Sequence, residues 1–484
     1  MQILLVSSEV APFAKTGGLA DVAGSLPRAL RRLGHDVRIF LPWYQAVERQ
    51  GITAEPLPLR VEAAVDGVAH SAGLRRGQLE DIPVYFLDHP AFFQREGLYG
   101  TPEGDYPDNH LRFGFFCRAL LEALPVIDFR PDVLHLNDWQ TGLIPVLLDS
   151  ERRSDPFFAS MATIFTIHNL GYQGLFPATA LAQLGLDPGL FHMEALEYYG
   201  KISFLKAGIF FSDLITTVSP TYCQEIQTKE FGHGFEGILS KRRQDLYGIL
   251  NGIDPELWDP ASDKALAAPF SAEDPTGKAE NKRALQKELG LPVETRRPLM
   301  AMVGRLATQK GLDILEEAWP DLVMRSLQFV LLGSGEEQHM TFFRKVKDRD
   351  PEQISINLGF DDNLARRIYA GSDLFLMPSH YEPCGLGQLI ALRYGSLPLV
   401  RRTGGLADTV HDVEDDFKWG NGFVFEDASA AALVQALDRA LTCYRDTRWW
   451  GDVVRRGMSL DLSWEESARH YLDIYRQAVK QKGA

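Results

Sequence analysis

Short apolar runs alternate with stretches of helical periodicity along most of the chain. Residues 3–6, 37–41, 84–87, 133–136 and 163–167 are apolar or β-branched runs that predict buried strands. Between them, 19–33, 109–124 and 139–148 predict helices. A second series follows, with strands expected at 299–303, 329–332, 354–358, 374–377 and 397–400. Helices are expected at 312–323, 337–347, 364–370 and 386–394. Strand–helix alternation at this spacing argues for an α/β fold of parallel, doubly wound sheets. Ligands of such sheets belong at the carboxyl ends of the strands. The polar stretch 259–295, rich in Pro, Ala, Glu and Lys, separates the two series and reads as a connection followed by a helix. The expected domains are 1–246 and 247–461. In the last segment, 462–484, an amphipathic helix over 464–480 gathers Trp464, Ala468, Tyr471, Leu472 and Tyr475 on one side, able to pack on either domain.

The hexapeptide Thr-Gly-Gly-Leu-Ala-Asp occurs twice, at 16–21 and 403–408. Each copy follows a cation, Lys15 or Arg402, and opens a helical pattern. A Gly-Gly turn leading into a helix presents backbone N–H groups and admits a ligand closely, which suits phosphate. The reading is two similar halves, each offering a Gly-rich turn to a shared cleft; two ordinary loop-to-helix turns are the plain alternative. A dinucleotide fingerprint does not explain the pattern. The first strand runs into Ser-Ser-Glu-Val-Ala-Pro, and Gly333-Ser-Gly335 has Gln338 at its last position.

With 484 residues, two or three domains are expected. The net charge of −15 and the lack of any dense Lys/Arg cluster argue against nucleic-acid binding, so an anionic ligand must be held by a few placed cations. Cys117, Cys223, Cys384 and Cys443 are far apart in sequence, which argues against a disulfide framework or zinc site and fits a reducing cytoplasm. No signal peptide, membrane span or metal-ligand spacing is evident.

The candidate chemistry sits at expected strand ends. Lys15 precedes the first Gly-Gly turn, and Arg305 and Lys310 flank the loop after 299–303. Three such cations can anchor a diphosphate and stabilise charge growing on it as it leaves. His168 ends the strand 163–167, as a ligand contact or a satisfied structural histidine. Asp138 either contacts a polyhydroxylated ligand or caps the helix that starts at Trp139. Glu382, in Glu-Pro-Cys-Gly-Leu-Gly, can grip sugar hydroxyls. No second carboxylate stands near it in sequence, so a glycosidase-like pair is not evident.

At these residues the chain strongly resembles the glycogen and starch synthase family over essentially its whole length. The resemblance rests on Lys15 to Val22, Thr166 to Gly174, Asn251 to Asp254, Gly304 to Gly311, Glu382 to Leu386 and Arg401 to Thr409, in that order. It implies a GT-B glycosyltransferase, two Rossmann-like domains facing a central cleft that closes over the donor, and a terminal helix returning to the first domain. The implied reaction moves glucose from ADP-glucose to the nonreducing 4-hydroxyl of glycogen or a malto-oligosaccharide, with retention and without metal or cofactor. Lys15, Gly18, Arg305 and Lys310 then look like donor-diphosphate contacts, with His168 beside the transferred glucose and Glu382 on its hydroxyls. Asp21, Asp138 and Asn251 resemble cleft positions, Phe360 a ring packed on the base, and Cys384, Gly385, Leu386 and Thr403 further substrate-binding positions. Gly387 stands where the family usually has Thr, and Asn137 and Gln140 replace His residues common around the Asp-Trp pair. Ile390, eight residues after Glu382, breaks the Glu-x₇-Glu pattern of related transferases and favours the glycogen and starch branch. A UDP-glucose-dependent synthase, a glucan phosphorylase and a catalytically silent glucan-binding protein are the alternatives.

Overall fold

The strand Gln2–Val6 is buried from Ile3 onward and pairs in parallel with Asp36–Pro42 on one side and Val133–Asn137 on the other. These belong to a computed structural model that describes residues 1–101, 103–347, 349–414 and 419–483. Among the described residues the sheet has nine strands, in the order Leu246–Gly248, Leu214–Thr217, Ala162–Ile167, Val133–Asn137, Gln2–Val6, Asp36–Pro42, Ile82–Asp88, Val68–Leu79 and Glu55–Val65. The chain leaves Gln2–Val6 in one direction and later resumes on its other side at Val133–Asn137. The switch point of the doubly wound sheet therefore lies between those two strands.

Two expectations are corrected here. The sheet is not parallel throughout, because Glu55–Val65, Val68–Leu79 and Ile82–Asp88 run antiparallel to one another at one edge. Asp66 and Gly67 join the first two with φ of 52° and 69°, the paired positive values of a two-residue type I′ hairpin. The helix expected over 139–148 is broken into a 3₁₀ turn, Trp139–Thr141, and a short helix, Leu143–Leu147. Gly142 sits at the break, where a Cβ would overlap the Phe204 carbonyl.

The second series forms a six-stranded parallel sheet among the described residues: Ile354–Leu358, Gln328–Gly335, Leu299–Leu306, Leu374–Met377, Leu397–Arg401 and Phe423–Phe425. Its switch point lies between Leu299–Leu306 and Leu374–Met377. Gly333 and Gly335 serve strand packing, since side chains there would strike the carbonyls of Gly304 and Leu306. The helices Ala430–Tyr444 and Thr447–Met458, absent from the sequence series, cover this sheet with buried Leu433, Leu437, Trp450 and Val453.

The chain divides into one unit of Met1–Val218, Cys223–Asn251 and Trp464–Ala484, and another of Ser219–Tyr222 and Gly252–Ser463. Residues 247–251 thus fall in the first unit, where the sequence series began the second domain, because Leu246–Gly248 is an edge strand of the first sheet. The last helix, Trp464–Lys482, buries Trp464, Tyr471, Leu472 and Tyr475 on that unit. Tyr475 hydroxyl lies 2.6 Å from His135 Nδ1, and Ser467 Oγ donates to the Leu250 carbonyl at 2.5 Å.

Candidate active site

The first unit brings Lys15, Asp21, Asp138 and His168 to the carboxyl ends of strands around its switch point and the second does so with Arg305, Lys310 and Glu382, whereas Asn251 follows the edge strand Leu246–Gly248 and Phe360 the edge strand Ile354–Leu358. In the first, Glu9 leaves the strand Gln2–Val6 buried, and its carboxylate accepts from Thr16 N, Thr16 Oγ1 at 2.6 Å, Gly17 N at 3.1 Å and Tyr99 hydroxyl at 2.8 Å. A carboxylate with this many donors fixes the turn ahead of the helix Gly18–Arg32. The N–H groups of Thr16 and Gly17 are therefore spent inside the protein, and the expectation that the Gly-Gly turn presents its N–H groups to a ligand is corrected for Gly17. Space beside Gly17 is open all the same: a Cβ there would meet nothing within 4 Å. Lys15 Nζ lies 2.7 Å from Asp21 Oδ1, so the two candidate residues form an ion pair.

Asp138 follows the strand Val133–Asn137 with φ 54° and ψ −178°, a region that is essentially glycine's own. Its side chain makes no cap bond; Oδ1 accepts the His168 backbone N–H at 2.8 Å instead. Burial, with Glu9 adding repulsion, raises its carboxyl to about 7. His168 is buried, and its Nε2 lies 2.8 Å from Asn137 Oδ1, while Asn137 Nδ2 donates to the Val6 carbonyl at 3.0 Å. That orientation makes Nε2 the protonated nitrogen. Burial pushes the His168 pKa down to about 3, so the ring is neutral at physiological pH. Asn137 thus orients His168. Asn251 Oδ1 and Gln140 Oε1 are buried acceptors with no hydrogen-bond partner.

In the second unit, Lys310 ends a 3₁₀ turn, Thr308–Lys310, and Gly311 follows in the left-handed region with φ 70°. A side chain on Gly311 would collide with the Pro378 carbonyl, so glycine lets this loop seat against the turn after Leu374–Met377. His380 N donates to the Gln309 carbonyl at 2.9 Å, and Gln309 Nε2 to the Tyr381 carbonyl at 3.2 Å. Lys310 Nζ is thereby held 2.8 and 2.6 Å from the two oxygens of Glu382, which also accepts from Ser379 Oγ at 3.0 Å. Glu382 is 5% exposed. Arg401 braces this turn through the carbonyls of Ser379 and His380.

Arg305 lies exposed at the end of Leu299–Leu306, and Phe360 is 82% exposed beyond Ile354–Leu358. Cys384 and Thr403 are buried, Leu386 is half-buried, and Gly385 has φ 72°. The second hexapeptide differs from the first in what its glycines do. Side chains on Gly404 and Gly405 would overlap the carbonyls of Glu382 and Cys384, so these glycines pack the Glu382 turn. Asp408 accepts from Thr221 N and Oγ1 at 2.9 and 2.6 Å. Gly387, the departure from the family's Thr, faces Phe375: a Cβ would lie 3.0 Å from its ring. Sequence reasoning missed Glu9, Tyr99, Ser379 and Arg401. For Glu9 the available signal was a carboxylate three residues past the first strand.

Residues 2–241 match the starch synthase catalytic domain family, and residues 285–453 match glycosyl transferases group 1. Glycogen synthase from Syntrophotalea carbinolica is 58% identical over 480 residues, covering 99% of each chain. The chain belongs to the glycogen synthase family. Glycogen synthase from Geotalea uraniireducens is 53% identical over 483 residues, covering 100% of each chain. The solved catalytic domain of Starch Synthase IV from Arabidopsis thaliana, bound to ADP and acarbose, is 38% identical with a TM-score of 0.93 over 99% of each chain. Two α/β units, the first with a largely parallel sheet and the second with a parallel one, and this match give the family member a GT-B fold. Among its described residues no helix is long and apolar enough to cross a membrane.

Proposed function

We propose that the chain is a glycogen synthase that transfers glucose from ADP-glucose to the nonreducing 4-hydroxyl of an α-1,4-glucan with retention of configuration. The observation that carries this reading is the cluster of half-buried Lys310 with buried Glu382 and Ser379 at the second sheet's switch point, in a chain 58% identical to a glycogen synthase. The solved relative was bound to ADP and acarbose, which supports ADP as the leaving group and a glucan as acceptor.

Arg305 and Lys310 provide the positive charge for a diphosphate. Unit charges 4 Å apart interact by about 4 kcal/mol at an effective dielectric of 20, enough for two cations to favour the departing ADP. Glu382 offers a carboxylate whose geometry is fixed by two partners, with acceptor capacity left for glucose hydroxyls. His168 is neutral and turned by Asn137, so it positions the sugar rather than supplying a charge. Lys15 and the open space at Gly17 suit a phosphate oxygen, the exposed Phe360 ring suits the base, and the unpartnered acceptors of Asn251 and Gln140 suit sugar hydroxyls. The bond from C1 to the diphosphate oxygen breaks as the bond from C1 to the acceptor O4 forms on the same face. The hydroxyl proton passes to a phosphate oxygen of ADP. Cys117, Cys223, Cys384 and Cys443 form no disulfide among the described residues, which suits a reducing cytoplasm.

Initial rates of ADP release with and without glycogen test this, run beside UDP-glucose. Glycogen-dependent release from ADP-glucose is expected, with Arg305→Ala and Lys310→Ala each slowing turnover by roughly two orders of magnitude or more. Near-normal turnover in both variants overturns the assignment, and faster reaction with UDP-glucose reassigns the donor. A glucosyl adduct trapped on Glu382 overturns the same-face transfer.

A further inference from the structure

The 3₁₀ turn Thr308–Lys310 joins the strand Leu299–Leu306 to the helix Leu312–Val323, and Gln309 seats it against the turn that bears Glu382. A second hold comes from the residues after the strand Gln328–Gly335. Glu336 N donates to the Leu306 carbonyl at 2.6 Å, and its carboxylate accepts from Thr308 N at 3.2 Å and Thr308 Oγ1 at 2.9 Å. Gln338 Nε2 lies 3.2 Å from Thr308 Oγ1 and 3.1 Å from Glu336 Oε2. Within the turn, Lys310 N donates to the Ala307 carbonyl at 2.8 Å and Gly311 N to the Thr308 carbonyl at 2.9 Å. A shift of Thr308 is therefore passed to Lys310.

His339 closes this cluster from the helix Glu337–Lys347, whose other buried residues are Phe343 and Val346. The imidazole is 3% exposed, and a polar ring buried beside apolar neighbours costs free energy unless it is hydrogen-bonded. Its Nδ1 donates to Glu316 Oε1 at 2.6 Å. Its Nε2 lies 3.2 Å from Thr308 Oγ1, 3.3 Å from Gln338 Nε2 and 3.5 Å from Glu336 Oε2. Glu316 belongs to the helix that begins directly after Gly311, and Thr308 opens the turn that Lys310 ends. The ring thus ties together the segments on either side of Lys310 in the chain. An apolar side chain would fill the same space without that tie.

We propose that His339 is a positioning residue for the transfer reaction, fixing the Thr308–Lys310 turn so that Lys310 meets the diphosphate of the donor. This rests on the function proposed above and adds to it a residue that acts through Thr308 rather than on the substrate. A shift of about 1 Å in a group that meets the reacting atoms costs up to roughly a hundredfold in rate. The two ring nitrogens divide the work: Nδ1 anchors the ring on Glu316, and Nε2 carries the grip to the turn.

The two nitrogens can be removed separately, since an asparagine amide reaches where Nδ1 stands and a glutamine amide where Nε2 stands. In the full-length protein, His339→Asn keeps the Glu316 bond and loses Thr308, whereas His339→Gln keeps Thr308 and loses Glu316. Steady-state rates with ADP-glucose and glycogen, ADP affinity by calorimetry and melting temperatures are compared with the parent. Both variants should melt below the parent by similar amounts. In His339→Asn the turnover number and the ADP affinity should each fall roughly five- to tenfold, the worth of one hydrogen bond, with KM for glycogen unchanged. His339→Gln should keep both within about twofold of the parent. Thr308→Val removes the same contact from the side of the turn and should repeat the losses of His339→Asn, and the double variant should lose less than the two effects combined. Equal loss of turnover in the two His339 variants overturns the proposal, because the ring then acts through stability alone. So do parent-like turnover in His339→Asn and additive losses in the double variant. Calorimetry reads ADP binding without turnover, so a parent that binds ADP but releases none from ADP-glucose rejects the proposed function and leaves the comparison of the two His339 variants decisive. A parent that binds no ADP overturns both.

Discussion

Asp138 combines two costs that a stable fold does not need: a backbone angle reserved for glycine and a buried carboxyl raised to about 7. Strain of this kind costs about 1–3 kcal/mol and concentrates at sites of function. The shift has a definite sign. An unfolded Asp releases its proton near pH 4, whereas folded Asp138 keeps it to about pH 7. Between those values the folded chain binds more protons, so this residue's contribution to stability falls as pH rises and levels off above 7, at a slope of at most about 1.4 kcal/mol per pH unit. His135 and His168, both lowered by burial to about 3, act oppositely and add stability as pH rises from about 3 to 6.5. Comparing Asp138→Asn with the parent cancels the histidines. Thermal melts from pH 4 to 7 should show the Asn variant gaining on the parent; a constant difference would show that Asp138 does not titrate there. Stability also separates the two second-unit cations. Removing Lys310 leaves Glu382 buried with Ser379 alone, so Lys310→Ala should lose about 2–4 kcal/mol in chemical unfolding. Arg305→Ala, at an exposed strand end, should lose under about 1 kcal/mol.

The two hexapeptides carry the same letters into different work, and sequence alone gave no way to tell them apart. At 16–18 the glycine faces open space; at 404–405 both glycines lie against backbone carbonyls of another turn. Gly17→Ala should therefore fold normally, since φ of −154° suits any residue, while raising KM for ADP-glucose if phosphate approaches there. Gly405→Ala should lose about 3 kcal/mol or more, because its Cβ meets rigid backbone at Cys384. Equal stability losses in both variants would contradict this division. Most buried strands of both sheets were legible, because each is a short apolar run at a regular spacing, and so were the positions of His168, Arg305 and Glu382 near strand ends; Leu214–Thr217 and Phe423–Phe425, equally buried but only four and three residues long, were not read. The edge hairpin was not legible as continuous apolar runs, because its strands alternate exposed and buried positions, although Asp66-Gly67 between them is a strong local signal. What no spacing could reveal was pairing across distance: Lys310 with Glu382 is 72 residues apart, and Tyr475 with His135 is 340.

At the scale of the molecule, the two units differ in how they are assembled from the chain. The second is nearly continuous, Gly252–Ser463 with only Ser219–Tyr222 added, whereas the first requires the last 21 residues to cover its sheet. Its second core is self-contained: Leu299, Phe329, Leu374, Leu397 and Phe423 are all buried within it, as are Leu433 and Leu437 from Ala430–Tyr444. A fragment of residues 252–463 should thus fold alone and melt cooperatively. It loses Ser219–Tyr222, and with Thr221 gone the Asp408 carboxylate is left to water rather than buried without a partner. Because Arg305, Lys310 and Glu382 all lie in this unit, the fragment should bind ADP by calorimetry, with Arg305→Ala weakening binding roughly tenfold. A fragment of residues 1–251 should not behave so. Without Trp464–Lys482 it exposes the surfaces that Trp464, Tyr471 and Tyr475 cover and leaves His135 Nδ1 without its tyrosine, so aggregation is expected. Fusing residues 464–484 back through a flexible linker should restore a soluble, cooperatively melting species. Folding of 1–251 without that helix, or failure of 252–463 to bind ADP, would show that the nucleotide-binding chemistry is not carried by the second unit in the way its charges indicate.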